Sequence, residues 1–154
     1  MLRGLYNCYN RVELIWPWLQ DLVLLVQRLL IGKVFFVSGL TKIDDWSNTL
    51  SLFQDEYKVP FMPPGLSAYS ATTFELICPV LLALGLGTRF VALPLIGITA
   101  VIQLTYDQNP QHYLWAALLF GLVCFGSGRF SLDFLVTKHL RRVYGRAEEC
   151  SVGT

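Results

Sequence analysis

The chain has 154 residues, 54% of them apolar and only 15% charged, with a mean hydropathy of +0.49. Soluble domains carry roughly 25% charged residues, so the composition disfavours a soluble domain, and the apolar content excludes disorder. The balance of 12 basic against 11 acidic residues gives no footprint for nucleic acid. What remains is an all-α polytopic membrane protein: an antiparallel bundle of four transmembrane helices with short interfacial helices.

Residues 1–18 read as a cytoplasmic interfacial segment. Leu5, Tyr9, Val12 and Trp16 recur at helical spacing, with Arg3, Asn7, Asn10 and Glu13 among them. This predicts a short helix over 4–16 lying on the membrane, broken or kinked at Pro17, with Tyr9, Trp16 and Trp18 in the headgroup layer. The membrane domain follows over 19–130. A span needs about 20 mainly apolar residues, and the first runs from about 21 to 41. This stretch exceeds a signal-peptide core and lacks a small-x-small cleavage site, so the helix is expected to stay in the mature chain.

An outer loop over 42–65 carries a second amphipathic helix. Trp46, Leu50, Phe53 and Tyr57 share a face, Asp44 or Asp45 can cap the first turn, and VPFMPPG ends it. Such a helix either closes a cavity between the spans or shields the end of the bundle. The remaining spans cover about 66–85, 88–106 and 111–128. Their short connections make neighbours antiparallel. Pro79 and Pro94 predict kinks packed against neighbouring helices. Gly32, Gly39, Gly97, Ala100, Ala116 and Gly121 can let helices approach closely.

Residues 131–154 form a basic tail whose KHLRR run can touch anionic lipid. Arg3, Arg11, Arg89, Arg129, Lys138, Arg141, Arg142 and Arg146 fall on one side of a four-span chain, which predicts both termini in the cytoplasm.

Arg28, Lys33 and Glu75 are ionisable groups inside spans, where charge is costly and normally faces a bundle interior or cavity. Matching span midpoints near Ile31 and Leu76 places all three near the midplane. The expectation is one buried polar network around Glu75, with Arg28 as its bidentate partner and Lys33 as a more adaptable one. Two cations beside one carboxylate would suit a quinone oxygen, an anionic substrate or a lipid headgroup; a purely structural salt bridge is the equal alternative.

A second polar cluster is expected at the outer mouth, from Ser38, Thr41 and Lys42, from Tyr69, Thr72 and Thr73, and from Gln103, Thr105, Tyr106 and His112. Arg28, Glu75, Tyr69, Gln103, Tyr106 and His112 are the candidate ligand-binding residues; an ordinary polar interface is the plainer reading. Cys8, Cys78, Cys124 and Cys150 form no CxxC pair, and only His112 and His139 supply imidazole, so no metal site is expected. LGLGTRF lacks the spacing of a phosphate-cradling glycine loop.

The run QRLLIGKVFFVSGLTKI, the loop ending VPF and the helix TTFELICPVLLALGLGTR resemble the DoxX family of small bacterial membrane proteins. The matching positions are Arg28, Gly32, Gly39 and Lys42, then Glu75, Pro79, Gly85, Gly87 and Arg89. The aromatic start at His112–Trp115 and the exit FGSGRFSLD fit as well. The resemblance covers roughly residues 20–130. It implies a four-span bundle in the bacterial inner membrane and an association with oxidative stress, sulfur-compound oxidation at the quinone pool, or metal-stress and modified-peptide clusters. It supplies no cofactor motif, and Lys33 is a feature of this sequence outside the resemblance.

Three functions follow as alternatives. One is a membrane subunit or scaffold of a redox or stress-response system. The second is a quinone-binding electron-transfer subunit. The third is a small transporter or lipid-binding protein. No dedicated cofactor is evident, though quinone suits the second. The expected partners are membrane lipids and either another protein or further copies of the chain.

Overall fold

The computed structural model describes the backbone of residues 2–57, 62–105 and 109–151, and the side chains of residue 13 and of residues 15–57, 62–105 and 109–142. Among the described residues the chain is helical, with no strand. The helices are α1 (Leu2–Asp44), α2 (Trp46–Leu52), α3 (Pro64–Leu84), α4 (Thr88–Thr105), α5 (Pro110–Phe125) and α6 (Leu132–Ser151), with a π-helical turn over Phe53–Tyr57 after α2.

Three helices are long and apolar enough to cross a membrane: Ile15–Asp44 within α1, Pro64–Leu84 and Thr88–Thr105. The apolar α5 has 16 residues, which is about 24 Å at about 1.5 Å per residue. It ends three residues before the expected boundary because Gly126, at φ 79°, turns the chain out of the helix.

The other departure is at the amino terminus. Instead of a separate helix over 4–16, α1 continues through Pro17 for 43 residues. A proline removes one backbone hydrogen bond and crowds the preceding turn. That local loss does not stop a helix with a long apolar run on its far side. The faces assigned to Leu5, Tyr9 and Val12, and the residues Cys8 and Cys150, lie outside the described side chains.

α1 packs chiefly on α3, α3 on α4, α4 on α5, and α5 back on α1. Leu24, Ile31, Phe35, Cys78, Leu82, Ala92, Leu95, Leu119 and Leu122 fill the space between them. The α1–α3 crossing is close at Gly39, where an added Cβ would stand 3.2 Å from the backbone carbon of Glu75 and 3.0 Å from the Leu76 side chain. That contact fixes the register: Gly39, near the end of α1, is level with Glu75, in the middle of α3.

At the opposite end of the core, α3 closes with a left-handed Gly85 (φ 70°). Gly85 N–H donates to Leu82 O and Leu86 N–H to Leu81 O, the paired bonds of a Schellman ending. The loop after α5 is tied down here. Asp133 accepts from the backbone N–H of Gly87 (2.9 Å) and of Thr88 (3.4 Å), satisfying donors at the start of α4. Asp21 accepts from Arg129 N–H at 3.0 Å, and the Arg129 guanidinium lies 3.4 Å from the same carboxylate.

Candidate functional site

Glu75 sits mid-helix in α3 with 1% of its surface exposed. Its partner comes from the last turn of α1. Ser38 and Lys42 are four residues apart and therefore share a helix face. Lys42 Nζ donates to Glu75 Oε2 at 2.6 Å and to Ser38 Oγ at 2.9 Å. A lysine in a final turn also complements the carboxyl end of the helix dipole. The side chains of the pair are 13% (Lys42) and 1% (Glu75) exposed, so the ion pair is held largely away from solvent.

Two cavities meet at Glu75. One, of about 230 Å³, is lined by Lys42, Glu75, Ser67, Ser70 and the apolar side chains of Phe53, Tyr57, Phe74, Ile98 and Ile102, among others. The other, of about 270 Å³, is lined by Glu75, Ser38, Thr41, Thr99, His112 and Trp115 with apolar neighbours. Glu75 thus stands in the wall between an apolar chamber and a more polar one.

The segment after α1 covers the first chamber. Asp45 caps α2 by accepting from Asn48 N–H (3.0 Å) and from the Ser47 hydroxyl (2.9 Å). These bonds, the backbone one foremost, hold the Asp45 carboxyl below the usual carboxylate range. The Thr49 hydroxyl donates to Lys42 O at 3.0 Å, binding α2 to the end of α1. Beyond α2, the π-turn directs Phe53 and Tyr57 inward, edge to face at 4.7 Å, against Ala68. Of the two capping candidates Asp45 takes the role, Trp46 and Leu50 pack against the Phe53–Tyr57–Ala68 cluster, and of the two alternatives for this segment, Phe53 and Tyr57 follow the one that closes a cavity.

The expected network of Arg28, Lys33 and Glu75 does not assemble. Arg28 is fully buried, but its Nη2 donates to Phe130 O at 2.5 Å, in the loop after α5. Lys33 is exposed on the outer face of α1. The reason is register. Matched midpoints put Ile31 level with Leu76, whereas Gly39 holds that place. Arg28 is consequently displaced from Glu75 by about 16 Å along the helix axis. Arg28 belongs to the contacts of the loop after α5, and the place beside Glu75 goes to Lys42.

Of the outer-mouth residues, Gln103 and His112 come together, with Gln103 Oε1 and His112 Nδ1 2.9 Å apart and both side chains buried. His112 packs edge to face on Trp115, with centroids at 5.1 Å, in the wall of the polar chamber. Tyr69 is not in either chamber. It is exposed, and its ring lies 4.5 Å from that of Trp46 on the outward side of α3. Tyr106 lies outside the described residues. Lys42, Ser38, Phe53 and Tyr57 join the site instead. Ser38 and Lys42 are expected from the sequence in the polar cluster at the end of the first span, not as partners of Glu75; their i, i+4 spacing is the signal that could have joined them. Among the described residues no group of His, Cys, Asp and Glu could hold a metal ion.

A protein-family model, DoxX, matches residues 23–108, more than half of the chain. A protein of Haemophilus influenzae described as "Uncharacterized protein" is 33% identical over 129 residues, covering 75% of this chain and 83% of its own length. "Putative oxidoreductase CatD" of Bacillus subtilis is 35% identical over 121 residues, covering 74% of this chain and 87% of its own. No solved structure matches.

Proposed function

The chain belongs to the DoxX family of membrane proteins, and from that premise we propose that it is a four-span inner-membrane subunit of a redox system. In this reading the chamber beside Glu75 holds the head of a membrane quinone. The observation that carries it is the buried Lys42–Glu75 pair opening into an apolar chamber beneath Phe53 and Tyr57. The relative named as an oxidoreductase agrees with a redox role.

A quinone head needs an apolar slot with a few polar partners for its oxygens. The chamber of about 230 Å³ is smaller than the roughly 300–1,000 Å³ typical of pockets for larger ligands. It suits a ring-sized head whose tail stays in lipid. Reduction of a quinone to a quinol takes two electrons and two protons; the electrons come from a partner protein or from a small reduced substrate. Lys42 Nζ is a donor placed for a carbonyl oxygen. Glu75, already bonded to Lys42, is the group that can pass a proton at that oxygen. Gln103, His112, Ser38 and Thr41 line the polar chamber on the other side of Glu75 or pack against it, giving the carboxyl a hydrophilic approach.

Both termini belong in the cytoplasm. The α3–α4 turn meets the first turn of α6 at one end of the bundle, through Asp133 and Gly87, with Arg89 at the start of α4, Arg129 just before α6, and Lys138, Arg141 and Arg142 following. The opposite end carries Lys42 with Asp44, Asp45, Asp55 and Glu56, so the excess of Lys and Arg lies at the first end. This is the asymmetry of the positive-inside rule. Exposed Leu135, Val136 and Leu140 on α6, interleaved with its cations, suit a helix on the inner surface.

The test is mass spectrometry of small molecules extracted from protein purified in mild detergent, for the wild type, Glu75→Gln and Lys42→Met. Near-stoichiometric quinone is expected in the wild type, with a loss of about tenfold in folded variants, the effect of about 1.4 kcal/mol of binding. Ordinary phospholipid alone in all three samples would refute the proposal.

A further inference from the structure

Lys33 lies where a cation is least welcome. The crossing part of α1 runs from Ile15 to Asp44, and Lys33 is about 5 Å from its midpoint at about 1.5 Å per residue. With a hydrocarbon core of about 30 Å, the nearer interface is about 10 Å from Lys33 along the helix, farther than a four-carbon stem can carry its ammonium. The side chain is exposed, facing away from the core. Among the described residues it forms no ion pair or hydrogen bond.

Its surroundings have the form of a helix seat. Lys33 lies in a groove of about 310 Å³ between α1 and α3, with Gly32, Phe36, Pro79 and Ala83 around it. Gly32 and Ala83 leave little side chain between the groove floor and an arriving backbone, the usual feature of close helix approach in lipid. The groove is otherwise apolar, so the ammonium is its one polar feature.

We infer that this groove seats a transmembrane helix of a partner protein, and that a carboxylate on that helix pairs with Lys33. A second copy of this chain does not meet the requirement. The carboxylates inside the described apolar helices, away from their ends, are Asp21 and Glu75, both buried and both already ion-paired. A two-fold contact through this groove would bring one Lys33 toward the other, and like charges in a low dielectric repel. The inference does not depend on what occupies the chamber beside Glu75, because the groove lies on the outer surface of the bundle.

The experiment uses the full chain in its native membrane, with a photoreactive benzophenone amino acid at Phe36 and, as a control, at the outward-facing Leu93. A discrete protein adduct is expected from position 36 and not from position 93. Its contact segment should be a membrane helix bearing Asp or Glu. The yield should fall about tenfold in Lys33→Leu, the equivalent of about 1.4 kcal/mol. Lys33→Glu should abolish the adduct, and exchanging the partner's carboxylate for lysine should restore it. Purified Lys33→Leu should unfold at the same temperature as the wild type or higher, since no contact within the chain is lost. An adduct at twice the mass of this chain, lipid adducts alone, a protein adduct indifferent to Lys33→Leu, or a lowered unfolding temperature would each overturn the inference.

Discussion

Glu75→Gln removes one charge from the buried pair while keeping the side chain's size. The Lys42 ammonium then loses the carboxylate 2.6 Å away and retains the Ser38 hydroxyl. Breaking a buried pair from one side typically costs about 3–5 kcal/mol. The 13% exposure of Lys42 and its remaining hydroxyl place this loss at the low end, about 3 kcal/mol. Lys42→Met strands a carboxyl group, which has a neutral form available, so its cost is smaller, about 2 kcal/mol. In the double variant no charge is left alone, and the cost stays near that of the gentler single change. The coupling between the two sites is then about 3 kcal/mol. The assay is unfolding in mixed micelles, driven by increasing sodium dodecyl sulfate and followed by circular dichroism. Costs of the two changes that add to within about 0.5 kcal/mol would show that Lys42 and Glu75 do not interact and would refute the site described here.

Two further predictions concern the register and the cover. Gly39→Ala forces a methyl group to within 3.2 Å of the α3 backbone and should cost about 1–3 kcal/mol as an overpacked contact. Gly32→Ala, whose methyl would meet Pro79 O at 3.4 Å, should cost less in the same unfolding assay; the reverse order would be inconsistent with the α1–α3 crossing. The cap of α2 should depend on pH. Because the folded Asp45 carboxyl sits below its ordinary range, its contribution is complete above the unfolded value of about 3.9. It is lost as pH falls through the lowered folded value. Hydrogen exchange at the Asn48 amide should accelerate over that window in the wild type. Asp45→Asn, which keeps a capping oxygen but cannot titrate, should remove the pH dependence.

The helices were legible because their apolar runs are long and bounded by Gly, Pro and Asn. Asp45 as a cap, and Trp46, Leu50, Phe53 and Tyr57 as a packed face, followed from helical spacing and local chemistry. The partner of Glu75 did not, because partnership across helices depends on register. Equal depth of the midpoints was a reasonable premise for four similar spans. It fails here because α1 runs on past the core at the Gly85 end of α3, while α3 extends beyond Asp44 at its other end to meet the cover. Glycines that set the register look in the sequence like any other small residues: Gly39 touches α3, while Gly97 has no atom of a neighbour within 4 Å of its missing Cβ. The role of Asp133 in bonding Gly87 and Thr88, 46 and 45 residues earlier, is likewise a long-range matter that no local pattern announces. Tyr69 shares the outer end with Glu75, but its place on the helix turns it toward Trp46 and away from the chamber.

The two ends of the bundle are fastened in different ways. At the end that holds the α3–α4 turn, Asp21, Arg28 and Asp133 hold backbone groups of the Gly126–Ser131 loop and of that turn, and Gln27 reaches Leu118 O. Helices joined through main-chain atoms have little freedom to slide or splay there. At the Glu75 end the ties between the long helices are side chain to side chain, Lys42 to Glu75 and Gln103 to His112, under a cover of one short helix and one π-turn that is itself held by Thr49 to Lys42 O. Mechanically this is a pair of tongs: the joint lies at the Asp133 end and the jaws at the Glu75 end. A thermal fluctuation that parts the helices will part them at the jaws. If the chamber beside Glu75 takes a ligand as proposed above, the jaws are its entrance, and opening them leaves the end that anchors the fold closed.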